Sequence, residues 1–244
     1  MFRKAIAKNI EKRNHTFRLR GHEVLRIEAF SDAVFAFAVT LLIVSLEVPK
    51  SFEELMTTMR GFFAFGISFL FLMMIWYDQN LFFRRYGMHD ILTVVLNCTL
   101  IFLVLFFVYP LKFLFTLLFS GFIYGPGHSP FIIQLNDVPK LLMIYGMGYV
   151  LIQLLFFFMY MHAFRKRRFL ELTQLEIFDT KTFMYAKLII IAIGLLSVFM
   201  AKVLPINVAG NAGLIYILIG PAFSMFHTYR ARKKRKMIDT FHLS

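Results

Sequence analysis

An all-α integral membrane protein with six transmembrane helices is the fold class this sequence predicts, on three observations. Of its 244 residues 59% are hydrophobic and only 17% charged, with 32 phenylalanines and a mean hydropathy of +0.69. Apolar runs long enough to span a bilayer recur along the chain, which separates it from a large soluble core. Basic residues gather between those runs and at the two ends, where a bilayer would leave them in water.

In chain order, residues 1–25 read as a basic, helical cytoplasmic arm. The first span covers 30–48 and ends at Pro49, and a short amphipathic piece follows Ser51-Phe52-Glu53-Glu54. The second span, 61–77, closes on Trp76-Tyr77-Asp78-Gln79-Asn80, read as an interfacial belt. The third, 91–109, contains Asn97-Cys98-Thr99 and stops at Pro110. Residues 111–124, interrupted by Lys112, are either an extension of that span or an interfacial helix. Residues 125–130 (Gly-Pro-Gly-His-Ser-Pro) are a loop. The fourth span, 141–161, runs into Arg165-Lys166-Arg167-Arg168, and a charged connection over 169–187 precedes the fifth, 188–204. Pro205-Ile206-Asn207 turns the chain into the sixth, 208–226, where Gly220-Pro221 predicts a kink. The division is therefore a basic arm (1–25), a six-helix transmembrane domain (26–229) and a basic tail (230–244).

Charge sets orientation. Of 27 Lys and Arg residues, 22 lie in the arm, the second–third and fourth–fifth connections and the tail, against five on the other side. That asymmetry predicts a multi-pass protein of the cell membrane with both termini cytoplasmic. A net charge of +13 without an aromatic-interleaved basic patch argues against nucleic acid and for anionic inner-face lipid as the partner surface. The basic N-terminus lacks the short apolar region of a signal peptide. The single Cys98 excludes an intrachain disulfide, and the histidines are scattered without metal-ligand spacing. No hydrolase, metalloprotease, P-loop or dinucleotide motif is present, so neither an enzyme nor a resident cofactor or metal is expected. No span carries the regular arginines of a voltage sensor, and the TVGYG filter is absent.

The stretch at 26–48 is the most informative. It is apolar enough to span, yet places Asp32 near one end, where a carboxylate facing lipid is not tolerable. Other helices must therefore enclose it. Ala33, Phe37, Thr40, Leu41 and Val44 share one helical face, with a single hydroxyl in an apolar stripe, while Ser31 and Asp32 point away from it. Asn97 is a candidate partner for Asp32, since an amide inside a span also needs satisfying. Because the stripe occurs once and no internal repeat is visible, a central path requires a symmetric assembly.

Arg26-Ile27-Glu28-Ala29-Phe30-Ser31-Asp32 matches the RxxxFSD signature of the transmembrane protein 175 family, endo-lysosomal potassium channels and their prokaryotic homologues. The following AVFAFAVTLL and the third-span LNCTLIFLVLFFVYP also resemble that family, and the likeness covers most of 26–226. The sequence departs from the pattern at Gln79-Asn80, where members often place histidine. The resemblance implies a homotetramer passing potassium ions through a pore lined by the first helix, with potassium the only bound species. Phe37, Leu41 and Val44 would be its apolar rings, and Thr40 the hydroxyl contributing to selectivity. Arg26, Phe30, Ser31 and Asp32 would be a structural motif that does not touch the ion. The alternatives are a proton- or cation-coupled secondary transporter, which needs broken helices, and a non-conducting scaffold, which needs no hydroxyl in the stripe.

Overall fold

The computed structural model describes residues 17–21, 23–44, 50–119, 137–205 and 208–242, and the regular structure among them is helical. The helices are α1 (Arg26–Val44), α2 (Phe52–Arg60), α3 (Phe62–Tyr86), α4 (Ile91–Leu118), α5 (Val138–Arg165), α6 (Gln174–Val203) and α7 (Ile219–His242). A 3-10 helix, Ala209–Leu218, leads into α7. Among the described residues five segments are long and apolar enough to cross a membrane: α3, Ile91–Val108 of α4, α5, α6 and Gly210–Ile238. The first predicted span, 30–48, lies in α1 as far as Val44; residues 45–49, Pro49 among them, are outside the described set. Residues 1–16 of the arm, the loop at 125–130 and the Ile206-Asn207 turn also lie outside it.

The helices are longer than the hydropathy runs, and the reason lies at their ends. α3 continues nine residues past the predicted close at Tyr77 because Asp78, Gln79 and the following aromatic residues have partners inside the bundle. It ends at Gly87, whose left-handed backbone (φ 58°, ψ 30°) returns its N–H to the Phe83 carbonyl at 2.8 Å. α6 starts inside what reads as a charged connection. Thr173 and Glu176 form a reciprocal capping box there, satisfying two donors of the first turn.

Pro110 does not stop α4, which runs 28 residues through it. Proline inside a helix leaves a carbonyl one turn back without its donor, which spanning helices accommodate when neighbours re-satisfy the freed groups. The Tyr145 hydroxyl of α5 donates to the carbonyl of Pro110 itself at 2.5 Å and ties α4 to α5 at the level of the proline. Gly220-Pro221 falls just after the change from 3-10 to α geometry at Leu218–Ile219. Pro221 thus occupies the first turn of α7, where a missing N–H has no intrahelical acceptor to lose.

The core lies between α1, α3, α4 and the C-terminal half of α5, around Phe35, Leu72, Phe82, Leu100, Phe156 and Tyr160. α5 and α6 form a tight antiparallel pair made possible by small residues. A Cβ on Gly194 would lie 2.6 Å from Val150, and one on Gly146 2.7 Å from Val198. At the end that carries the basic connections, Asp90 ahead of α4 accepts from Thr93 (2.8 Å), His162 (2.8 Å) and Lys166 (3.2 Å). Burial opposes its charge, but those donors outweigh it and bring its pKa to about 2. Because the folded value lies below the ordinary 3.8, this contribution is present above that pH and lost as pH falls through about 2.

Gly87 is the least replaceable residue of this frame. Gly87→Ala forces a side chain into the left-handed region and against the Arg20 backbone at 3.2 Å. The substitution should lower stability by about 1–2 kcal/mol, read as a lower melting temperature in detergent; unchanged melting would show that the α3 end relaxes freely.

Candidate functional site: the α1 face and its polar anchors

α1 has two sides in the single chain. Ser31, Phe35, Ala38 and Leu42 are at most 2% exposed and pack on α3 and α4. Around the helix from them, Ala33, Ala36, Phe37 and Thr40 are exposed, with Phe37 at 56%, and Leu41 is half-buried. The stripe singled out from the sequence is therefore the face that the chain itself leaves uncovered. Arg26 and Phe30 are exposed as well, about three and two turns before Phe37. The side chain of Val44 lies outside the described set.

What fixes this rotation is a polar ladder. Ser31 Oγ donates to the Ile27 carbonyl at 2.7 Å and accepts from Asn97 Nδ2 at 2.8 Å. Asn97 Oδ1 accepts from Gln79 Nε2 at 2.6 Å. All three side chains are at most 2% exposed, so α1, α3 and α4 are joined by a buried relay that water does not reach. Asp32 is held separately, by the indole N–H of Trp76 at 2.7 Å. Asn97 is therefore the partner of Ser31, not of Asp32 as its residue type suggested. Ser31 and Asp32, adjacent in sequence, are about 100° apart on the helix and so address different neighbours.

Two further contacts tie in the surrounding helices. Asp78 accepts from Lys187 Nζ at 2.6 Å, and that ammonium also lies 4.7 Å from the centre of the Phe156 ring. Lys112 Nζ reaches the Leu42 carbonyl in the last turn of α1 at 3.3 Å, a cation at the negative end of a helix. On α3, three of four consecutive residues, Trp76, Asp78 and Gln79, thus reach α1, α6 and α4. Sequence reasoning treated them as an interfacial belt and missed Lys187 and Glu176. A signal existed for Glu176: Thr-Gln-Leu-Glu at 173–176 has the spacing of a capping box.

The geometry offers no reacting centre. No group of three or more metal-ligating side chains occurs among the described residues. A cavity of about 420 Å³ between α4, α5 and the 3-10 helix has no carboxylate, imidazole or thiol in its walls. What the chain presents is an apolar helix face with one hydroxyl, rigidly keyed from behind.

A potassium channel of Marivirga tractuosa is 38% identical to this chain over 238 residues, covering 93% of this chain and 95% of that one. Residues 26–110 match the family model described as endosomal/lysosomal potassium channel TMEM175. The chain belongs to the TMEM175 family. That family comprises potassium channels rather than enzymes, and the chain is a multi-pass membrane protein. A crystal structure of the potassium channel MtTMEM175, a threonine-to-alanine variant in complex with a nanobody–MBP fusion protein, has a TM-score of 0.80. It is 35% identical and covers 90% of this chain and 98% of its own. The fold is also shared with a lysosomal potassium-selective channel TMEM175 homologue from Chamaesiphon minutus, at a TM-score of 0.53 and 21% identity, covering 86% and 96%. The matched 26–110 segment contains every member of the relay from Ser31 to Asn97.

Asn97→Leu should destabilise the protein by about 1–3 kcal/mol, because it leaves the Gln79 amide buried without an acceptor and Ser31 without a donor. Thermal unfolding of the purified protein measures this, and an unchanged midpoint would mean the relay does not hold α1.

Proposed function

We propose that this chain conducts potassium ions through a homotetrameric pore whose wall is the uncovered face of α1. The observation that carries this reading is the segregation of α1: a buried polar relay behind, and Ala33, Phe37 and Thr40 exposed in front. A helix held this firmly yet open on one side is completed by copies of itself about an axis. On this reading the predicted span 30–48 is one of six crossings, with both termini cytoplasmic and the basic connections and tail against anionic lipid.

On this reading Phe37 is an apolar ring at which water is excluded and the path closes by dewetting, with Leu41 and Val44 as further rings outward. Thr40 supplies the polar step. Its Oγ1 donates to the Phe37 carbonyl at 2.7 Å, which spends the hydroxyl proton inside the helix and leaves oxygen lone pairs for a partly dehydrated cation. Arg26 and Phe30 stand on the same face at the cytoplasmic mouth, and Ser31 and Asp32 act from behind through Asn97 and Trp76. No cofactor enters; potassium is the permeant ion. The arm 1–25 and tail 230–244 flank the conducting domain 26–229.

Purified protein in liposomes under a potassium gradient should show potassium flux exceeding sodium flux. Phe37→Ala should raise flux and weaken discrimination, while Thr40→Val should lower potassium preference with assembly retained. If Phe37→Ala leaves both flux and selectivity unchanged in a stable tetramer, α1 does not form the constriction.

Topology is tested apart from conduction. In a Cys98→Ser background, cysteines placed at His128 and at Lys233 should react with impermeant thiol reagents from opposite sides of intact cells. Labelling of both from outside would overturn the six-span arrangement.

A further inference from the structure

Residues 17–21, the first described part of the basic arm, are not helical, yet they are docked closely against two helix ends. Arg20 and Gly21 both donate their backbone N–H to the Arg84 carbonyl, at 3.0 and 3.1 Å, one of the carbonyls left open at the end of α3. Two glycines permit the approach. A Cβ on Gly21 would lie 2.7 Å from the Phe83 carbonyl oxygen and 3.0 Å from Arg84 Cα, and one on Gly87 would lie 3.2 Å from the Arg20 carbonyl. At the α6 end the Arg20 guanidinium is forked onto Glu176, Nη2 to Oε2 at 2.8 Å and Nη1 to Oε1 at 3.0 Å, and its Nε donates to the Leu170 carbonyl at 2.9 Å. Glu176, 1% exposed, also accepts from the backbone N–H groups of Arg18 (2.7 Å) and Thr173 (2.9 Å). Phe17 is 7% exposed and stands edge-on to Tyr86 at 5.5 Å.

We infer that Arg20 and Glu176 are positioning residues for conduction: their pair fastens a strap that sets where the pore helix begins. The inference rests on the reading of α1 as the pore wall. From Gly21 the chain reaches Arg26 in five residues, a tether of at most about 17 Å. α1 has an uncovered face along its length, and its first half carries two polar supports, the relay at Ser31 with the Asp32 bond and this strap at its start. Release of the strap leaves the relay as a pivot, about which the Phe37 and Thr40 level can tilt. Glu176 thereby has two separable roles. As the third residue of α6 it caps that helix, a role glutamine also performs; as a carboxylate it holds Arg20 by a forked ionic contact that glutamine cannot reproduce.

The test compares Arg20→Gln, Glu176→Gln and the double variant with an Arg18→Ala control, which retains the backbone N–H that Arg18 gives Glu176. Each is purified as the full chain, its melting temperature recorded, and its potassium and sodium fluxes measured in liposomes beside the unsubstituted protein. The expected result is that both single variants lose potassium-over-sodium preference, that the double variant loses no more than either one, and that Arg18→Ala retains it. Should Glu176→Gln fail to fold, Arg20→Gln, which leaves the α6 cap intact, carries the comparison. Unsubstituted protein that conducts, beside variants that melt earlier with an unchanged flux ratio, would make the strap purely structural and overturn the inference alone. Additive losses in the double variant would likewise overturn a single device. Absence of potassium flux in the unsubstituted protein would overturn the pore reading and the strap with it.

Discussion

The buried relay Gln79–Asn97–Ser31 is the constraint on which the rest of this structure depends. Three polar side chains within a region of phenylalanine and leucine are costly unless each is satisfied, and each is satisfied only in one register of α1, α3 and α4. Turning α1 by one residue, about 100°, removes Ser31 from Asn97 and replaces it with an apolar side chain or with Asp32. The apolar face of α1 cannot supply this information, because Phe, Leu and Val pack against lipid as well as against protein. The relay therefore decides which side of α1 is left open.

The same economy appears at α3. Trp76, Asp78 and Gln79 diverge at successive angles from one helix and meet α1, α6 and α4 respectively. One turn of one helix thus sets the relative positions of three others. The bond from Trp76 to Asp32 adds a second fixed point on α1, some 100° around the axis from Ser31, so rotation is constrained from two directions. This arrangement explains how a carboxylate is tolerated on an otherwise apolar helix: Asp32 has a fixed donor in the Trp76 indole.

Much of this was legible in the residues, and the exceptions have physical causes. Helical periodicity alone placed Ala33, Phe37, Thr40 and Leu41 on one face of α1, and the chain leaves that face uncovered. The RxxxFSD segment identified the family that the whole-chain match to the Marivirga channel shows. Hydropathy located the runs but not the helix ends, since α3 and α6 extend into polar sequence whose charges are paired within the fold. Lys187 read as part of a solvated connection because sequence cannot show that Asp78 lies 2.6 Å away. Pro110 read as a stop because its ring removes an intrahelical hydrogen bond, whereas α4 runs through it beside α5, to which Tyr145, 35 residues further on, ties it. Asn97 was expected to meet Asp32 by chemical type, and the 100° step between neighbouring residues gave it to Ser31 instead.

The central claim is that the relay turns the Ala33–Phe37–Thr40 face toward the conduction path. Cysteine accessibility along α1 tests it most directly, using single cysteines at successive positions from 31 to 42 in a Cys98→Ser background. Potassium flux through reconstituted protein is measured before and after a water-soluble thiol reagent. The account predicts block at positions 33, 37, 40 and 41 and none at 35, 38 and 42. Block centred on 31, 35, 38 and 42, with 33, 37 and 40 unaffected, would contradict it.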